Sequence, residues 1–154
     1  MNPHRDQAHG TLLGFDFGKK RIGVAVGQTL TASARPLATL RTHNDQPDWE
    51  AIGRLIDTWR PTQLVVGLPV NEDGSEHILA AAVQNFAGQL RNRYALPVHL
   101  VDERLSSHEA QQIAVSMGGR AAPHTQAAKE AVDRIAAQII LETWLSQQSD
   151  RPYR

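Results

Sequence analysis

Four acidic residues sit where an apolar pattern would not place them. Asp16 interrupts the apolar run between Phe15 and Phe17. A carboxylate in such a setting is costly unless it is paired or metal-bound. It reads equally as a strand-end acid that bonds backbone amides or pairs with Lys19 or Lys20. Asp102 and Glu103 follow a second apolar run, at the point where it ends in Arg104. Successive strand side chains point to opposite faces. At most one of Asp102 and Glu103 therefore shares a face with Asp16, and spacing does not say which. Asp133 lies beside the apolar stripe of a helical segment, with Lys129 one turn earlier. An i,i+4 pair with Lys129 would be worth only ~0.3–0.5 kcal/mol, and taken singly Asp133 reads as structural. Taken together, these acids describe a chemistry. Converging carboxylates raise one another's pKa. A hard divalent cation such as Mg²⁺ relieves that repulsion through oxygen ligands. Two such ions can clamp the attacking and leaving oxygens of a phosphodiester.

Positive charge accompanies the acids. Lys19, Lys20 and Arg21 follow Asp16, while Arg104, Arg120 and Lys129 fall near the other acidic positions. Such a patch suits a phosphate backbone, or else forms a solvated basic turn. The whole chain of 154 residues balances 16 Lys+Arg against 16 Asp+Glu. A protein that coats bulk nucleic acid is usually strongly basic, so any nucleic-acid contact here is local. With no cysteine, a thiol nucleophile, a disulfide scaffold and any Cys-based metal site are excluded. That usage fits a reducing compartment. Of seven histidines, no pair makes an HExxH zinc pattern. His4, His9 and His43 read as surface residues, and His108 and His124 as minor candidates for carrying protons. Ser106-Ser107 reads as a helix cap, because no G-x-S-x-G context surrounds it.

These residues must be positioned by regular elements. Residues 11–17 alternate around Leu13, Phe15 and Phe17, and residues 21–28 around Ile22, Val24 and Val26. Two strands with so short a join form an antiparallel hairpin. Residues 33–40 make a third strand, placed at an edge by Pro36. The period then turns helical over 47–59, through Trp49, Ile52, Ile56 and Trp59. Buried strands follow at 63–67 and 97–101. Helices are expected over 75–94 with Ser75 as cap, near 108–116, and over 127–145, and residues 117–124 read as a loop. Strands alternating with helices imply an α/β layered domain whose sheet is at least partly parallel. In such sheets sites gather at the carboxyl ends of parallel strands, which is where Asp102 and Glu103 fall. Residues 1–10 and 147–154 read as polar tails flanking a single domain over 11–146. No apolar run approaches the ~18 residues of a spanning helix, and a soluble cytoplasmic protein is expected.

Four motifs carry a resemblance. Gly14-Phe15-Asp16-Phe17-Gly18 with Lys20-Arg21-Ile22-Gly23-Val24-Ala25 resembles the opening of the YqgF family, also called RuvX. Val65-Val66-Gly67-Leu68-Pro69 with Asp73-Gly74-Ser75, then Val101-Asp102-Glu103-Arg104-Leu105-Ser106-Ser107, resemble its second and third motifs. Lys129 with Val132-Asp133-Arg134-Ile135-Ala136-Ala137 and Ile139-Ile140-Leu141 resembles its fourth. The resemblance spans residues 12–145. It implies a ribonuclease-H-like fold, with a five-stranded mixed sheet ordered 3-2-1-4-5 and helices on both faces. Members are described as Holliday junction resolvases or as nucleases that mature the 5′ end of pre-16S rRNA. Carried onto this chain, the family's acidic site falls on Asp16, Glu103 and Asp133, and so selects Glu103 over Asp102. The loop 117–124 departs from the family, having only Arg120 as a firmly charged residue.

The expectation is a metal-dependent nuclease. Asp16, Glu103 and Asp133 would hold one or two Mg²⁺ or Mn²⁺ ions. Lys20, Arg21, Arg104 and Lys129 would bind substrate. Its partner would be an rRNA precursor or branched DNA, with no membrane involved, and the chain would act as a monomer or homodimer. A junction substrate would call for the dimer. A competing reading is a ribosome-assembly or nucleic-acid binding factor that does not cleave. A third, a nucleotide-driven phosphotransferase, draws on the strand–turn–strand at residues 15–27. It lacks a P-loop motif and a second domain to close over the nucleotide.

Overall fold

The computed structural model describes residues 10–71, 73–103 and 125–149. Arg104, Arg120, His108, His124, Ser106-Ser107, the helix expected at 108–116 and the loop at 117–124 lie outside the described residues.

The first strand, β1 (Thr11–Phe17), pairs antiparallel with β2 (Arg21–Gln28). β2 pairs antiparallel with β3 (Ser33–Arg41). On its other side β1 runs parallel to β4 (Gln63–Leu68), and β4 runs parallel to β5 (Val98–Asp102). The strand order is β3-β2-β1-β4-β5, as the resemblance implied. Pro36 stands on the outermost strand, beside a register shift at Val24/Ala25. An edge strand with a bulge tolerates the absence of the N–H donor that proline lacks.

Side-chain alternation divides the core between the two sheet faces. Leu13, Phe15, Ile22, Val24, Leu64, Val66 and Val98 lie in one buried cluster. Against that face pack α1 (Trp49–Trp59) and α2 (Ala80–Tyr94), through Ile52, Val83, Phe86 and Leu90. Leu12, Ala25, Val65 and Val101 lie in the other cluster with Ala137, Ile140, Leu141 and Trp144. Those last four belong to α3 (Gln126–Ser149), which continues three residues past the expected domain end.

Asp48 begins α1, accepting a hydrogen bond from the Ala51 N–H at 3.0 Å. The second helix differs from expectation: α2 begins at Ala80, and Ser75 does not cap it. Gly74 takes φ 86°, and the turn it allows engages Ser75 elsewhere. The Ser75 N–H and hydroxyl both donate to Asp73 Oδ1, at 2.9 and 2.6 Å. An Asx-type turn has taken the donors that a helix cap would have used.

Candidate active site

Strand parity brings the acidic positions to one face. Asp16 shares the face of Leu12 and Gly14, which is the face α3 covers. In β2 the residue opposite Asp16 is Gly23. A Cβ at Gly23 would run into the main-chain carbonyl of Asp133. The absent side chain therefore lets α3 press directly onto the sheet, with Asp133 above the strand pair that carries Asp16. Glycine in a strand interior often marks such an approach of another backbone.

The fourth and fifth strands supply the remaining acid. Gly67 is the next residue after Val66, whose β1 partner is Phe15, so it stands alongside Asp16. A Cβ on Gly67 would collide with Glu103 Oε2 and with Ile140. Glu103 thus folds its carboxylate back over Gly67, onto the face of Asp16. Its N–H donates to the Leu68 carbonyl at 3.0 Å, extending the β4–β5 ladder by one residue. Asp102 belongs to the opposite parity and is exposed. The structure thereby settles which of the two neighbours faces Asp16.

Electrostatics register the convergence. The Asp16 and Glu103 side chains come within hydrogen-bonding reach of one another. Burial pushes the Asp16 carboxyl up to about 7, the hydrogen bond with Glu103 opposes that rise, and the Asp133 charge adds to it. The Asp133 carboxyl is likewise raised by burial, against the pull of Arg21. Arg21 Nε donates to Asp133 Oδ2 at 2.6 Å, with the side chains 24% and 17% exposed.

That pairing replaces the i,i+4 bridge between Lys129 and Asp133 allowed by spacing. Lys129 is exposed and makes no ion pair among the described residues. Lys20 is exposed in the turn after β1, and its main-chain carbonyl accepts from the Thr42 N–H at 3.0 Å. Arg21 is positioned by the acid rather than projecting freely. Sequence reasoning missed Gly23 and Gly67. Their signal was glycine within an otherwise apolar strand, read only as part of a motif.

All three acids offer only oxygen, the donor set that a hard divalent cation takes. As posed, no group of three or more acidic or histidine side chains among the described residues forms a cation cage. Asp133 is turned to Arg21, and Asp16 to Glu103.

Comparison with known proteins places this arrangement. A Legionella pneumophila (strain Paris) protein named "Putative pre-16S rRNA nuclease" is 51% identical over 138 residues, covering 90% of this chain and 96% of that relative. A Nitrosococcus oceani protein of the same name is 49% identical over 140 residues, covering 89% and 87%. Among solved structures, a fowlpox virus resolvase in complex with its substrate Holliday junction DNA matches with a TM-score of 0.52 at 10% identity. That match covers 90% of this chain and 98% of the other. At that identity the likeness is one of fold, and the fold is ribonuclease-H-like. The family model described as "RuvX: Holliday junction resolvase" matches residues 10–147, and the chain belongs to the RuvX family.

Proposed function

We propose that this chain is a metal-dependent nuclease that hydrolyses phosphodiester bonds in structured nucleic acid, in maturation of the 5′ end of pre-16S rRNA. The observation that carries the reading is the approach of Glu103 over Gly67 and of Asp133 over Gly23, the two strand neighbours of Asp16. Three elements distant in sequence bring these carboxyls to one sheet face. The names of relatives about half identical to this chain support the rRNA substrate. On this reading the protein works in the cytoplasm.

Asp16, Glu103 and Asp133 would hold one or two Mg²⁺ or Mn²⁺ ions. Bound there, the cation would supply an activated water and stabilise the leaving 3′ oxygen. The chain's own part is to ready the ligands and place the substrate. Asp16, whose carboxyl is raised by burial, would ionise before serving as a ligand. Lys20, Arg21 and Lys129 would position phosphates, with Arg104 in the same role from the sequence. Each such contact fixes register without reading sequence.

A second reading is resolution of Holliday junctions, favoured by the description of the family model. One assay separates the two. A four-way DNA junction and a pre-16S rRNA fragment are offered side by side with Mg²⁺ and with Mn²⁺, to wild type and to Asp16→Asn. The proposal expects rRNA cleavage by wild type and none by the variant. Cleavage of the junction alone would move the substrate to DNA. An Asp16→Asn protein as fast as wild type would end the nuclease assignment, and binding without cleavage by wild type would leave an assembly factor.

A further inference from the structure

The Arg21–Asp133 pair has a consequence for cation binding. Its 2.6 Å bond joins β2 to α3, across 112 residues of sequence. Arg21 donates through Nε to Oδ2, an oxygen that a cation would also use. We infer that Arg21 is a positioning residue that competes with the metal for Asp133, holding that carboxylate in reserve until the site is loaded. This inference rests on the metal-dependent reading above.

The surroundings determine where the guanidinium can go. Directly opposite Arg21 in the β2–β3 register stands Arg41. Like charges placed directly opposite one another across a sheet are destabilising. The acid one turn before Asp133 on α3, Glu130, already accepts from Arg41 Nη2 at 3.3 Å. Once displaced from Asp133, Arg21 therefore meets a cation on one side and an engaged acid on the other. An incoming phosphodiester is the anion that can receive it. Release of Asp133 to the metal and capture of a substrate phosphate by Arg21 then favour one another, and such coupling is reciprocal.

The competition predicts a sign opposite to that of ordinary site damage. Removing a residue that merely supports a metal site weakens the metal. Removing the competitor strengthens it. The test titrates Mn²⁺ into the full chain, free of nucleic acid, and reads the bound ion by electron paramagnetic resonance. Arg21→Gln is expected to bind Mn²⁺ more tightly by roughly ten-fold, the scale of one charge-assisted hydrogen bond removed. Arg41→Gln removes the same charge from the directly opposite position on β3 but frees no proposed ligand, and should stay within about two-fold of wild type. Equal or weaker binding by Arg21→Gln would overturn the inference, as would an equal gain in Arg41→Gln.

A readout in the wild-type chain guards against misfolding of the variant. The Arg21 Nε–H resonance, assigned by its loss in Arg21→Lys, should move as Mg²⁺ saturates the site. A resonance unmoved at saturation would overturn the competition. Wild type that binds no Mn²⁺ at all would instead overturn the metal reading, and this inference with it.

Discussion

At Asp16 a half-buried carboxyl is raised to about 7, against an ordinary value of 3.8, chiefly because burial penalises the charge. The sign of the linked stability change follows. The folded chain binds the Asp16 proton more tightly than the unfolded chain does, so the stabilisation is complete below about 3.8. It is lost as pH rises through about 7. In EDTA the wild-type protein should therefore lose thermal stability across this range. Asp16→Asn, which cannot ionise, should melt above wild type at about pH 8 and level with it near pH 4. Thermal melts at the two pH values check this, and a variant less stable than wild type at the higher pH would contradict it. The acidic positions themselves were legible in the sequence, because each interrupts or borders an apolar pattern. The choice between Asp102 and Glu103 was not legible from spacing, since it depends on where β5 ends and how Glu103 folds back over Gly67. The partner of Asp133 was not legible either. Spacing sees Lys129 one turn away but cannot see Arg21 arriving from another element.

Helix α3 owes its seat to glycines in three neighbouring strands. A Cβ at Gly14 would press into Leu141, one at Gly23 into the Asp133 carbonyl, and one at Gly67 into Glu103 and Ile140. Gly67→Ala should cost about 1–3 kcal/mol, the usual range for overpacking a filled interior. It should also reduce cleavage more than its stability loss explains, because the displaced atoms include the Glu103 carboxylate. Gly53 in α1 provides the comparison, since its Cβ would meet only the Tyr94 hydroxyl at 3.6 Å. Gly53→Ala should leave cleavage unchanged, and denaturant melts with initial rates for both variants check the contrast. Most elements were readable, because period-two runs and helical stripes specify them directly. The start of α2 was misplaced, because Ser75 is equally suited to a cap and to the Asx-type turn that claimed it. Glycine contacts between elements leave no periodic trace, so the fit of α3 onto the sheet needed coordinates.

Over the whole molecule, the alternation of strands and helices carried the α/β layering, while the strand order came from family resemblance. The balanced charge of 16 against 16 confines phosphate recognition to the rim around the acids. Salt dependence should then be modest, and Lys20→Ala should lower the slope of log affinity against log salt by about one. Fluorescence anisotropy with a labelled pre-16S rRNA fragment across a salt series measures this, and an unchanged slope would remove Lys20 from the interface. Everything at this scale depends on the three acids acting as one cation site. Equilibrium Mn²⁺ binding at about pH 8 to wild type, Asp16→Asn, Glu103→Gln and Asp133→Asn tests that most directly. Each substitution should weaken binding by more than about ten-fold, the lower end of what even outer partners of a metal cost when lost. Any one of the three that binds Mn²⁺ as tightly as wild type would show that its carboxylate does not hold the ion.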